Sequence, residues 1–237
     1  MKRISHILTS ALLAGSMLAA CSPAGGEGSP SNAAAQVDTG YLEIVSFSEE
    51  NGAVIIGNPD AKVELIEYAS LTCGHCKDFH INVFSSIKKD YIATGKVRFV
   101  FQEFPTPPVE LALAGFAIAR CSGESGYLGA LDDFFANQDA IFEAGRAGAI
   151  GEALIAYGER NGVKEADFED CVTNQNYRRS VSASVSHGQG QGINSTPSLV
   201  LNGEKLESGE SRTPGGLADI IDSALEAAGE TSAAPEN

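Results

Sequence analysis

Cys73 and Cys76 stand two residues apart in the run Glu67-Tyr68-Ala69-Ser70-Leu71-Thr72-Cys73-Gly74-His75-Cys76. Thiols at this spacing can close a disulfide with each other, and the pair then takes up or releases two electrons. The thiolate is the reactive form in such exchange. A structural disulfide and half of a zinc site are the alternatives. Zinc would need two further ligands. The later cysteines, Cys121 and Cys171, lie far apart, and no histidine pair is spaced to complete a set. The expectation is a redox dithiol with no metal and no cofactor.

The flanking residues say how the pair is held. Residues 63–71 are an apolar run, and Phe79, Val83, Ile87 and Tyr91 follow at helical spacing. The order is strand, tight turn, helix, which puts Cys73 at a helix start. Free backbone N–H groups and the helix dipole favour negative charge there. The helix is predicted to end near Thr94, with Gly95 just past it. Val97-Arg98-Phe99-Val100-Phe101 is strongly β-prone, and two strands joined by a helix make a parallel pair. Shorter strands are predicted at 40–47 and 54–56, the second closed by the turn Gly57-Asn58-Pro59-Asp60. A helical region runs from 109 to 191, with Pro108 suited to a first helical position. Ser195-Thr196-Pro197 then leads a short strand into Asn202-Gly203, a strong hairpin signal. The last helix has Thr213 as its cap, Pro214 at its first position and Gly229 at its end.

The 237 residues are 43% hydrophobic, which suits one globular domain with additional segments. A formal net charge of −15 argues against nucleic acid and against a basic patch for lipid head groups. Lys2 and Arg3 precede an apolar stretch at 7–20 that is too short for a membrane span. Residues 1–20 therefore read as a secretory signal. Without it, 14 Lys and Arg face 31 Asp and Glu, a net of −17. Residues 21–39, poor in bulky apolar groups, are expected to be a flexible tether. A folded domain at 40–229 and a frayed acidic tail at 230–237 complete the chain. Export implies an oxidising compartment. If Cys21 is otherwise engaged, the other four cysteines pair without remainder, Cys73 with Cys76 and Cys121 with Cys171. One of the latter two staying free is the alternative.

Gly57-Asn58-Pro59-Asp60-Ala61, Glu67 six residues ahead of Cys73, Cys73-Gly74-His75-Cys76, Ser195-Thr196-Pro197 and Asn202-Gly203 form an ensemble. It resembles the DsbA-type thiol-disulfide oxidoreductases of the bacterial envelope, over about residues 54–229. The resemblance implies an α/β protein: a thioredoxin fold with a helical insert at about 108–192. Separately, Leu18-Ala19-Ala20-Cys21 resembles the lipobox of bacterial lipoproteins, which implies cleavage before Cys21 and a lipid on that residue.

By this resemblance Cys73 is the exposed nucleophile and Cys76 the deeper resolving thiol. His75, as an imidazolium, would stabilise the thiolate and make the disulfide more oxidising. Gly74 departs from the proline that the best-known DsbA proteins carry here, and Gly74-His75 resembles protein disulfide isomerase. The potential is expected in the oxidising half of roughly −270 to −120 mV. Glu67 would be the buried acid that moves the Cys76 proton, unless it faces solvent. Pro197 would be cis, leaving the Thr196 backbone free for an extended substrate and Thr196 against the sulfur. A Cys121–Cys171 bridge would close a loop of about 50 residues, for roughly 4 kcal/mol. His80 reads as a packing residue. The implied activity is oxidation of exported thiols, with isomerase, reductase or non-catalytic binding lipoprotein as alternatives. The implied partners are exported proteins with free thiols, a membrane redox protein that reoxidises the dithiol, and the membrane itself through a lipid. The implied location is the periplasmic face of the envelope. No nucleic acid is expected, and the protein should be a monomer.

Overall fold

The computed structural model describes Leu42, residues 45–48 and residues 50–230. The predicted signal, Cys21, the tether at 21–39 and the tail beyond 230 lie outside the described residues. Among those described, six strands form one sheet in the order β1-β2-β4-β3-β5-β6. They are β1 (Val45–Phe47), β2 (Val54–Gly57), β3 (Val63–Ala69), β4 (Val97–Glu103), β5 (Ser198–Leu201) and β6 (Glu204–Lys205). β3 and β4 run parallel, from Val63 opposite Val97 to Ala69 opposite Glu103. The other neighbours are antiparallel.

The two-residue alternation of β3 sorts its side chains. Val63, Leu65 and Ala69 enter the main core with Val97, Phe99, Phe101, Leu199 and Leu201. Glu67 shares their face and is fully buried. Ile66 and Tyr68 face the other way, where Ile193, Val200 and Phe104 make a smaller cluster.

After the cysteines, α1 (Gly74–Phe79), a π-helical turn (His80–Phe84), α2 (Ser85–Ile87) and a second π-helical turn (Lys88–Ile92) run on as one rod. Phe79, Val83, Ile87 and Tyr91 recur every four residues, and all are buried. A strict spacing of four drifts around a helix of about 3.6 residues per turn. The wider π turns absorb that drift and keep the four side chains on the core. Gly95 ends the rod with φ 75°.

Between β4 and β5 lie α3 (Val109–Cys121), α4 (Glu124–Arg146), α5 (Ile150–Arg160), α6 (Glu165–Val172) and α7 (Gln175–Gly190). A disulfide joins Cys121 at the end of α3 to Cys171 on α6, with S–S 1.99 Å and Cα–Cα 6.1 Å. Pro108 precedes α3 in extended conformation rather than opening it, after a cis Pro107–Pro108 bond. Arg120 ties the insert to the sheet. It donates to Glu103 at 2.9 and 3.1 Å and to the Gly52 carbonyl at 2.9 Å, and the Tyr127 hydroxyl donates to Glu103 at 2.9 Å. Burial pushes the Glu103 carboxyl up, against the pull of Arg120.

Asn202 (φ 48°) and Gly203 (φ 87°) turn β5 into β6 with both residues left-handed, as a tight hairpin requires. α8 (Pro214–Ala227) starts on Pro214, and Thr213 Oγ1 accepts the Gly216 N–H at 3.1 Å. Among the described residues, no helix is long and apolar enough to cross a membrane.

Candidate active site

β3 ends at Ala69, and α1 begins at Gly74 with Cys73 as the residue before it, in extended conformation. The turn between is held by its own side chains. Ser70 Oγ accepts the Thr106 N–H at 3.0 Å, and the Thr72 hydroxyl donates to the Thr106 carbonyl at 2.7 Å. Gln138, buried on α4, donates its side-chain amide to the carbonyls of Leu71 at 2.7 Å and Cys73 at 3.1 Å. The insert thus grips the turn that carries the cysteines.

Both cysteines are free thiols, Cys73 half-buried and Cys76 buried. Their acidities move in opposite directions. Cys73 is pulled from 9.0 down to about 5, chiefly by a hydrogen bond from the Cys76 thiol. Partial burial opposes this, while the Thr196 hydroxyl and the backbone N–H groups of Cys76 and His75 support it. The Cys76 thiol is pushed well above its ordinary value, first by burial, then by donating to Cys73, then by the charges of Glu67 and Cys73. Gly74 and His75 are exposed. The backbone N–H of His75 is one of the groups that lower the Cys73 thiol.

The antiparallel pairing of β3 with β5 explains what faces Cys73. Tyr68, near the end of β3, is opposite Ser198 at the start of β5. Residues 196 and 197 therefore arrive beside the cysteine turn. The Thr196–Pro197 bond is cis. Cys73 Sγ lies 3.4 Å from the Thr196 carbonyl oxygen, to which the protonated thiol donates. Once the sulfur is ionised it can only accept, and the Thr196 hydroxyl takes over. Arg212 fastens the far side of this loop by donating to the Pro197 carbonyl at 2.6 Å.

Beneath Cys76, Glu67 Oε2 is 3.0 Å from His80 Nε2, and both side chains are buried. His80 is therefore more than the packing residue expected from the sequence. Gln138 and Arg212 also escaped sequence reasoning, because their contacts join residues far apart in the chain. His80 left one signal: it sits four residues after Cys76, and a buried acid needs a partner. Among the described residues, no group of three or more His, Cys, Asp or Glu side chains is placed to hold a metal.

Residues 49–223 match the family described as thioredoxin. The chain belongs to the thioredoxin family. Within that family it is similar to a candidate protein-disulfide oxidoreductase of Rickettsia bellii, 26% identical over 164 residues, which are 69% of this chain and 62% of that protein. The chain thus spans less than two thirds of that relative's length. Among solved structures it resembles alpha-DsbA1 of Wolbachia pipientis, with TM-score 0.63 and 24% identity, over 73% of this chain and 91% of that one. It also resembles oxidised BdbD of Bacillus subtilis, with TM-score 0.60 and 17% identity, over 77% and 96% of the two chains. These likenesses match the α/β fold expected from the sequence, a thioredoxin sheet with a helical insert.

Proposed function

We propose that this protein is an envelope thiol-disulfide oxidoreductase that oxidises the thiols of exported proteins through Cys73 and Cys76. The observation that carries this reading is the split in acidity between a half-exposed Cys73, at about 5, and a buried Cys76 held protonated. A stabilised thiolate favours the reduced dithiol, and a stabilised reduced form makes its disulfide a stronger oxidant.

The reaction follows from that split. A substrate thiolate attacks Cys73 Sγ, and the Cys73–Cys76 bond breaks. Cys76 leaves as a thiolate and takes up a proton. A second substrate thiolate then attacks the substrate sulfur of the mixed disulfide and releases Cys73 as the low-pKa thiolate, a good leaving group. The substrate has lost two electrons, and the protein holds them as a dithiol. A membrane redox partner would take them back. The cis-Pro197 loop, which leaves the Thr196 backbone beside the sulfur, supports docking of an extended chain. Gly74 and His75 would keep the approach open and supply an N–H to the thiolate.

Titrating the Cys73–Cys76 couple against glutathione, with peptide oxidation and insulin reduction assayed in parallel, tests the direction. A potential in the oxidising half of the family range supports the proposal; one near thioredoxin would make the protein a reductant. A C73S variant that still replaces the wild-type protein in cells would instead favour a non-catalytic binding role. Lipidation at Cys21 rests on Leu18-Ala19-Ala20-Cys21. Fatty-acid labelling lost in C21A would support it, and labelling that persists would remove it.

A further inference from the structure

We propose that His80 is the second member of a proton relay that connects Cys76, through Glu67, to a crevice on the protein surface. The inference rests on the exchange reaction proposed above.

Three observations meet at this side chain. First, Glu67 and His80 are joined at 3.0 Å, with side-chain exposures of 0% and 2%. Second, each keeps one polar atom without a protein partner: Glu67 Oε1 at one end of the pair and His80 Nδ1 at the other. Buried polar atoms are nearly always satisfied, and an exception calls for a reason. Third, His80 lines a surface crevice of about 230 Å³ with Ile81, Ser85, Lys88, Asp132 and Phe135. At the inner end, Glu67 lies near enough to Cys76 for its charge to raise that thiol. The pair therefore runs from the buried sulfur toward solvent.

Rings hold the imidazole in place. The His80 ring centroid is 4.3 Å from Phe135 and 4.6 Å from Phe84. The charged groups around it are Glu67 from β3 and, at the crevice, the ion pair of Lys88 with Asp132 on α4. Imidazole has two distinct nitrogens, one on each side of the ring, which suits it to pass a proton across itself.

The step that needs the relay is the attack of Cys76 on a mixed disulfide. The Cys76 thiol gives its proton to Glu67 Oε1, while His80, whose Nε2–H is donated to Glu67 Oε2, releases its Nδ1 proton to water in the crevice. The Cys76 sulfur forms a bond to Cys73 Sγ, the bond from Cys73 to the outer sulfur breaks, and the outer thiolate leaves with the electron pair. In the oxidising direction the same chain of atoms returns a proton to the Cys76 thiolate.

The reduced protein mixed with a dithiobis(nitrobenzoate) probe separates the two cysteines. Cys73 releases the first coloured thiolate, and Cys76 releases the second. With the relay, H80A slows the second phase by roughly 100-fold at neutral pH and leaves the first phase unchanged. Added imidazole, small enough for the space vacated, restores the second phase. H80Q, which keeps a polar contact to Glu67 but cannot relay, stays slow and responds less. Should H80A fail to fold, I81W, a change at an exposed position on the crevice, is expected to slow only the second phase. A second phase unchanged in the folded variants overturns the relay. So does equal slowing of both phases, or slowing that imidazole does not relieve, since a purely structural His80 predicts either. A wild-type protein that never releases the second thiolate overturns the exchange reaction itself.

Discussion

The side-chain amide of Gln138 donates to the carbonyl oxygen of Cys73 at 3.1 Å, although 65 residues separate them. The same amide reaches Leu71 at 2.7 Å, so one buried side chain of the insert fixes both sides of the cysteine turn.

Q138A is therefore expected to destabilise the protein by about 1–3 kcal/mol, the cost of leaving buried carbonyls without donors. Urea unfolding measures the loss, and the reaction of Cys73 with a small disulfide should slow in parallel. A variant as stable as the wild type would show that the turn holds itself.

Cys73 absorbance as a thiolate is expected to titrate near pH 5. Removing the largest cause, with C76A, moves that midpoint up, and T196V moves it up by less. The folded value lies below the ordinary thiol value. The stabilisation of the reduced protein is therefore complete above about 9.0 and is lost as pH falls through about 5. The disulfide form has no such group, so the reduced protein should gain stability relative to the oxidised one as pH rises from about 5 to about 9.0. Equal pH profiles for the two forms would contradict the geometry at Cys73.

The Cys121–Cys171 bridge spans 50 residues of the insert. Replacing both cysteines with alanine should lower stability by roughly 2–4 kcal/mol while exchange at Cys73 persists. Denaturant unfolding and a two-phase thiol assay read the two effects separately. Loss of exchange with stability unchanged would reverse the assignment.

Arg120 faces a carboxylate that burial already pushes up. In R120M the Glu103 charge loses its partner, and the expected cost is about 3–5 kcal/mol. The unfolded carboxylate ionises at lower pH than the buried one. The loss should therefore grow as pH rises from acid to neutral and shrink again in E103Q/R120M. A pH-independent loss would mean that packing, not charge, is what Arg120 supplies.

Much of this protein was legible in its order of residues. The strand-turn-helix around Cys73 and Cys76, the left-handed pair Asn202-Gly203 and the Thr213-Pro214 helix start are local features, set by spacing and by what single residues allow. The resemblance implied a buried acid at Glu67, but that it faces the core rather than solvent was settled by the fold, where it shares a face of β3 with Val63, Leu65 and Ala69. Other features depended on segments meeting across the fold. Pairing of β3 with β5 brought Thr196 and Pro197 to the sulfur, and packing of α4 on the cysteine turn delivered Gln138. The π turns after Cys76 placed His80 between Glu67 and the crevice. No local rule contains these contacts, because their energy comes from desolvating two groups together that the chain keeps far apart. Composition and spacing thus determined which atoms could exchange electrons. The tertiary fold alone decided which neighbours set their acidity: hydrogen bonds and burial act over a few ångströms, whatever the separation along the chain.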